Sequence, residues 1–243
     1  MGTSSGYEAP TTPDWGNLKG QVSRTARGGY ASQQSARNTL KDFIGTSGGA
    51  RNVSRGGGSI GAGRSAQNTA RRLANFVSSV GALGLKQALE SFGLAEFVGK
   101  SATEIVAALV DKLGGPSSTI NDVDARKALS RVMNDLLSDL ETPEQVEETL
   151  SQIMEGEALE SLLAQFFGYY LYEQFCRVFY ERLAKNVGGS NADGYLSSIF
   201  DTIKSALEYM THDRDLSKID WAGAEGQSIA DEILQDTFEI FGG

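Results

Sequence analysis

Between Glu157 and Lys185 the sequence sets Leu159, Leu162, Leu163, Phe166, Phe167, Tyr170, Leu171, Phe175, Val178, Phe179 and Leu183 at spacings that cover most of a helix's circumference. A helix that is apolar nearly all round has no face to give to water, so it belongs at the centre of a fold with other elements packed around it. Glu173, Gln174, Arg177 and Glu181 interrupt it too often for a membrane span, which needs about 20 mostly apolar residues. The stretch reads as the hub of a helical domain.

Apolar stripes at three- and four-residue intervals predict the helices that surround it. Ser65 is placed to cap a helix carrying Ala66, Thr69, Ala70, Leu73, Phe76, Val77 and Val80, with Gly81 and Gly84 weakening its continuation towards Phe92. Further helices are expected over 103–113, closed by Gly114-Gly115-Pro116, and over 122–140, 143–154, 194–211 and 226–241. Thr142 suits the cap of the third of these and Pro143 its first turn. No segment alternates with β-branched enrichment as a strand does. The expected fold is all-α, an irregular helical bundle around a long central helix. At 243 residues and 40% hydrophobic content the chain can supply a core for it.

Residues 1–64 have a different composition, rich in Gly, Ser, Thr and Arg and poor in periodic apolar positions. They are expected to form a flexible basic N-terminal arm, with 65–243 as an acidic all-helical domain. Two short helical islands, 17–25 and 32–44, interrupt the arm, and each needs a surface to dock on. The first 72 residues hold ten basic and three acidic groups, +7, which leaves −16 for the rest of a chain whose net charge is −9. Such asymmetry suggests that the arm contacts an anion, and the nearest one is the acidic body itself.

Chemistry is sparse. A single cysteine, Cys176, and a single histidine, His212, exclude an intramolecular disulfide and a Cys/His zinc cluster, and fit a reducing cytoplasm. Neither an apolar secretory leader nor a run of about 18 apolar residues appears. Gly6 stands where N-myristoylation wants a hydroxyl, so no membrane attachment is expected. The carboxylates between Glu141 and Glu160 resemble any acidic helical surface, and the aromatics around Tyr169, Tyr170 and Tyr172 suit a core better than a base-stacking platform. No catalytic residue, metal ligand or cofactor is assigned.

Gly56-Gly-Gly-Ser-Ile-Gly-Ala-Gly-Arg-Ser65 satisfies Gly-x-Gly-x-x-Gly and, from Gly58, approaches a Walker A loop with Arg64 in place of lysine. Gly58, Gly61, Gly63 and Arg64 are the candidates for holding a phosphate at a helix N-terminus, joined by Arg71 and Arg72. The strand that precedes such loops is missing, and a hinge leading into a helix explains the same glycines.

Met1-Gly-Thr-Ser-Ser-Gly-Tyr7, Pro13-Asp14-Trp15, the glycine-rich segment and Ala70-Arg71-Arg72 together resemble the QatB family, the helical component of bacterial Qat anti-phage systems. The resemblance is concentrated in the first eighty residues. It implies a non-catalytic protein working beside an ATPase (QatA-type), a QueC-like enzyme (QatC-type) and a TatD-like nuclease (QatD-type). It further implies that the QueC-like enzyme, whose relatives let ammonia attack an ATP-activated 7-carboxy-7-deazaguanine, uses a protein's N-terminal amine instead. In this sequence that amine belongs to Gly2 once Met1 is removed, and Thr3, Ser4, Ser5 and Tyr7 are the residues the enzyme would read.

Elementary chemistry agrees. An α-amine titrates near 7.7–8.0 and lysine near 10.4, so at neutral pH the nucleophilic fraction is about two orders of magnitude larger at the terminus. Pro10 and Pro13 discourage helix near the tip. The alternative reading is a nucleic-acid-binding accessory protein whose basic Gly-rich arm follows phosphates.

Overall fold

The computed structural model describes residues 10–54, 63–154 and 157–242, and within them the chain is helical throughout, without a strand. Eleven α-helices follow one another among the described residues: α1 Pro13–Thr25, α2 Gln33–Thr46, α3 Ala50–Ser54, α4 Arg64–Leu83, α5 Leu85–Ser91, α6 Ala102–Gly114, α7 Ile120–Leu137, α8 Pro143–Gln152, α9 Ala158–Val187, α10 Gly189–Glu208 and α11 Ala224–Gly242. The all-α expectation holds.

α9 is the hub. Phe166, Phe167, Tyr169, Tyr170, Leu171, Phe175, Phe179 and Leu183 along it are fully buried, and α10, α7, α11, α1 and α4 all pack against it. The dense aromatics of this helix are core. Local signals set the ends of its neighbours. Ser101 with Glu104, Thr119 with Asp122 and Thr142 with Gln145 each form a reciprocal capping box, and Pro143 occupies the first turn of α8. Gly84, at φ 82°, breaks the long stripe into α4 and α5, a backbone angle that favours glycine.

Two differences from the sequence reading have physical causes. Ser65 does not cap α4: the helix already begins at Arg64, and the Ser65 hydroxyl donates to Asp122 Oδ1 at 2.7 Å, tying α4 to the start of α7. The flexible arm expected over 1–64 is helical from Pro13 to Ser54, apart from its turns, and buries Trp15, Leu18, Val22, Leu40, Phe43, Ile44 and Val53. Its apolar residues are few, but these seven lie on the inner faces of their helices, while Tyr30 between α1 and α2 is exposed. The two islands thus find their surface on α9, α10 and α11.

The connection from α10 to α11 is irregular and held by charge. Glu160, 1% exposed, accepts from the Asp213 and Arg214 amides at 3.1 and 2.9 Å and from Arg214 Nη1 at 2.6 Å. Arg214 Nη2 reaches on to Asp236 of α11 at 2.7 Å. One arginine therefore fixes the segment to α9 and α11 together.

Candidate functional site

The N-terminal leader is rooted where α1 meets α9. Thr12 is extended ahead of α1, and Pro13 in the first turn needs no partner for a missing N–H. Lys19 Nζ donates to the Pro10 carbonyl at 2.7 Å, holding the chain against α1. Partial burial, and then the nearby Arg182 guanidinium, lower the pKa of this ammonium. Trp15 meets Phe43 edge to face at 5.9 Å, Phe43 meets Phe175 at 5.2 Å and Phe179 at 5.9 Å, and Phe175 stacks tilted on Phe179 at 4.5 Å. Each such ring pair contributes about 0.5–1.5 kcal/mol beyond its burial, so the root is firmly built. Beside it runs a polar trough of about 460 Å³ lined by Asp14, Asn17, Gln21, Asp42 and Gly242. The site residues expected from sequence, Gly2, Thr3, Ser4, Ser5 and Tyr7, lie outside the described residues.

Gly58 and Gly61 of the glycine-rich segment also lie outside them. Gly63 is described, and its surroundings are those of a packing glycine. Its N–H donates to the Val53 carbonyl at 3.1 Å, and a Cβ there would stand 2.6 Å from Leu234 Cδ2 and 2.9 Å from Val53 O. Glycine is required so that the start of α4 can approach α3 and α11. Arg64 is exposed.

The arginines that follow serve the chain itself. Arg71 donates to the carbonyls of Trp221, Ala222 and Gly223 at 3.1, 2.8 and 3.2 Å and to Gln227 Oε1 at 2.9 Å. Arg72 donates to the Leu113 carbonyl at 2.6 Å, near the end of α6, and to Thr69 Oγ1 at 3.0 Å. Both satisfy backbone acceptors that turns and helix ends leave open. The asymmetry of charge along the chain is answered partly by carbonyl dipoles, which no count of acidic residues reveals.

Cys176 and His212 line different cavities. Burial pushes the Cys176 thiol up to about 12, the opposite of what a nucleophilic cysteine needs. Among the described residues no cluster of three His, Cys, Asp or Glu side chains is arranged to hold a metal. Sequence reasoning missed the buried pair of Asp124 on α7 and Arg177 on α9, 3.2 Å apart with side chains 3% and 7% exposed. Burial outweighs the attraction of Arg177 and Lys127 and raises the Asp124 pKa to about 6.

A family model described as "Qat anti-phage system associated protein QatB" matches residues 48–241. The chain belongs to the QatB family. It is accordingly a component of an anti-phage defence system, and membership points to other Qat proteins as its partners. No curated protein and no solved structure matches it significantly. The QatB match runs from α3 through α11 and takes in the glycine-rich segment and Ala70-Arg71-Arg72. It leaves out the leader, α1 and α2. No helix among the described residues is long and apolar enough to cross a membrane.

Proposed function

We propose that this QatB-family chain is a protein substrate and docking partner within its defence system. A QueC-like partner activates the carboxylate of 7-carboxy-7-deazaguanine with ATP. The Gly2 α-amine, exposed by removal of Met1, attacks the activated carbon; the C–N amide bond forms, the C–O bond to the activating group breaks, and the amine proton is released to solvent or a partner base. Thr3, Ser4, Ser5 and Tyr7 enter the partner's cleft, and the helical body docks that enzyme, the system ATPase or the TatD-like nuclease. The chain does none of the chemistry itself, and the reaction takes place in the cytoplasm where ATP is present.

The observation that carries this reading is the construction of the leader's root. Trp15 and Phe43 lock α1 onto the hub and Lys19 holds Pro10, so the eight residues from Gly2 to Ala9 precede a fixed point. Fully extended, eight residues span roughly 26–29 Å, enough to reach into another protein's active site. The raised thiol of Cys176 makes this residue a poor nucleophile. The nucleic-acid reading loses two of its cations, because Arg71 and Arg72 are committed to carbonyls of the chain.

Intact-mass measurement of the chain purified after co-expression with the QueC-like enzyme tests the reading. The expected result is one deazaguanine amide on a chain lacking Met1, located at Gly2 by peptide fragmentation. An unmodified terminus, or modification at a lysine, overturns it.

A further inference from the structure

α1 is covered on one side only. Trp15, Leu18 and Val22 face the core, while Pro13 and Gly16, on the opposite side of the helix, are exposed. A Cβ added to Gly16 would meet nothing within 4 Å among the described residues, and one on Gly20, a turn further on, only Arg24 Nη1 at 3.4 Å. Neither glycine makes room for the chain's own packing, as Gly63 does for Leu234 and Val53. A glycine inside a helix destabilises it relative to alanine, and no contact among the described residues accounts for these two on one outward face. What they leave is a length of bare helical backbone that another chain can approach closely.

Cations border this strip. Arg182 of α9 donates from Nε to Ser23 Oγ at 3.3 Å and so lies over the seam between α1 and α9, Lys185 follows one turn later on α9, and Arg24 folds its guanidinium back over Gly20. All three are exposed, and among the described residues none of them forms an ion pair, whereas Arg126, Arg131, Arg177 and Arg214 each sit on a carboxylate. The carboxylates nearest to them in sequence face elsewhere: Glu181 lines a cavity between α7 and α9, and Asp14 the trough on the α2 flank of α1. In a chain of net charge −9 this is a local excess of positive charge, and at its edge Lys19 holds Pro10.

The position of the strip selects its occupant. Pro10 is held and α1 starts at Pro13, so a protein that takes residues 2–9 into a cleft brings the rim of that cleft against the outer face of α1, which is about 20 Å long. A nucleic acid fits this place less well, because beyond the strip its phosphates meet a body whose residues after 72 carry −16. We propose that the outer face of α1 from Gly16 to Arg24, together with Arg182 and Lys185, is the docking surface for the protein that receives the leader, and that this protein presents an acidic rim there. The proposal rests on the reading that the leader is delivered to another protein, and adds where that protein sits and what charge it bears. The cations orient the encounter with the rim's carboxylates, and the glycines let the two surfaces close.

Calorimetric titration of the full-length chain with the QueC-like enzyme, without ATP so that no bond forms, tests it. Arg182→Glu combined with Lys185→Glu, both at exposed positions, should weaken binding about tenfold in 0.1 M salt and make little difference in 1 M salt, where charges are screened beyond about 3 Å. Gly16→Leu separates docking from folding, because its two readouts move in opposite directions: Tm should rise by about 2–4 °C, as helix propensity predicts, while binding weakens at least about tenfold. Binding left unchanged by both variants, binding as strong in 1 M salt as in 0.1 M, no binding at all, or tight binding of a short DNA duplex by this face in place of the enzyme overturns the proposal. The test also keeps the two readings apart. An enzyme that binds, loses affinity in both variants and never modifies Gly2 leaves the docking surface standing and removes the conjugation, whereas modification of Gly2 at an unchanged KM in both variants does the reverse.

Discussion

Two regions meet α9 with comparable burial and opposite chemistry. Where α1 and α2 pack, the contact is a chain of rings, Trp15 to Phe43 to Phe175 and Phe179, each at most 1% exposed. Where α7 packs, the contact includes charges: Asp124 against Arg177 with both side chains buried, and Arg131 Nε 2.5 Å from Glu173, which is itself 5% exposed. Rings ask only to be covered. Charges removed from water must each find a partner, and a buried pair often does no better than apolar residues of the same shape, although removing one member is costly. The difference teaches that the α1–α2 contact should respond to volume alone, while the α7 contact should respond to pH.

Phe43→Ala is the strongest way to break the ring side. Loss of a fully buried phenylalanine that touches three other rings should cost about 3–5 kcal/mol, read as a fall in the urea midpoint. The loss should be the same at pH 4.5 and pH 7, since no ionisable group takes part. A loss below about 1 kcal/mol would mean that α1 and α2 are held to the hub far more weakly than their burial implies.

The charged side is sharpened by pH. Asp124 titrates near 6 in the folded protein, against an ordinary value of 3.8, and the groups acting on it are Arg177, Lys127 and Glu173. A carboxyl raised on folding binds its proton more tightly in the native state. Its contribution is therefore fully present below the ordinary value and lost as pH rises through about 6. A shift of this size corresponds to roughly 3 kcal/mol. Comparing stability from pH 3.5 to 7 in the parent and in Asp124→Asn isolates it from the titration of the many surface carboxylates. The parent should lose its margin relative to the variant over that window, and a difference that stays flat would show that Asp124 is not titrating there.

How much of this was legible follows from what each contact leaves in the sequence. The hub was legible because its apolar residues occupy every side of the helix, and α8 because Thr142-Pro143 is a local signal. α1 begins at Pro13, four residues before the expected island at 17–25, because Trp15 stands in a polar stretch and its ring partner Phe43 lies on another helix. Asp124 and Arg177 are 53 positions apart on helices whose registers no pattern relates, so their pairing left no trace. The same holds for the candidate site. Gly63 was legible as the entry to a helix, but not as a glycine chosen for Leu234 and Val53, which only tertiary packing brings within reach.

Arg71 offers the smallest and most specific test, because it is a cation whose partners are dipoles. It holds the turn at 221–223, some 150 residues away, through three carbonyls and Gln227. Arg71→Ala should cost about 1–2 kcal/mol, less than either contact with the hub, since water can reach part of the guanidinium's place. Lysine should not rescue it, because a single ammonium cannot span three acceptors as the planar fork does. The readout can be local. Trp221 is 2% exposed beside this clamp and Trp15 is 1% exposed on the ring side, so single-tryptophan versions report the two regions separately. Arg71→Ala should red-shift Trp221 emission and leave Trp15 unchanged, whereas Phe43→Ala should do the reverse. A shift of both by either substitution would mean that the two regions loosen together, and that the ring and charge contacts belong to one cooperative unit in spite of their different chemistry.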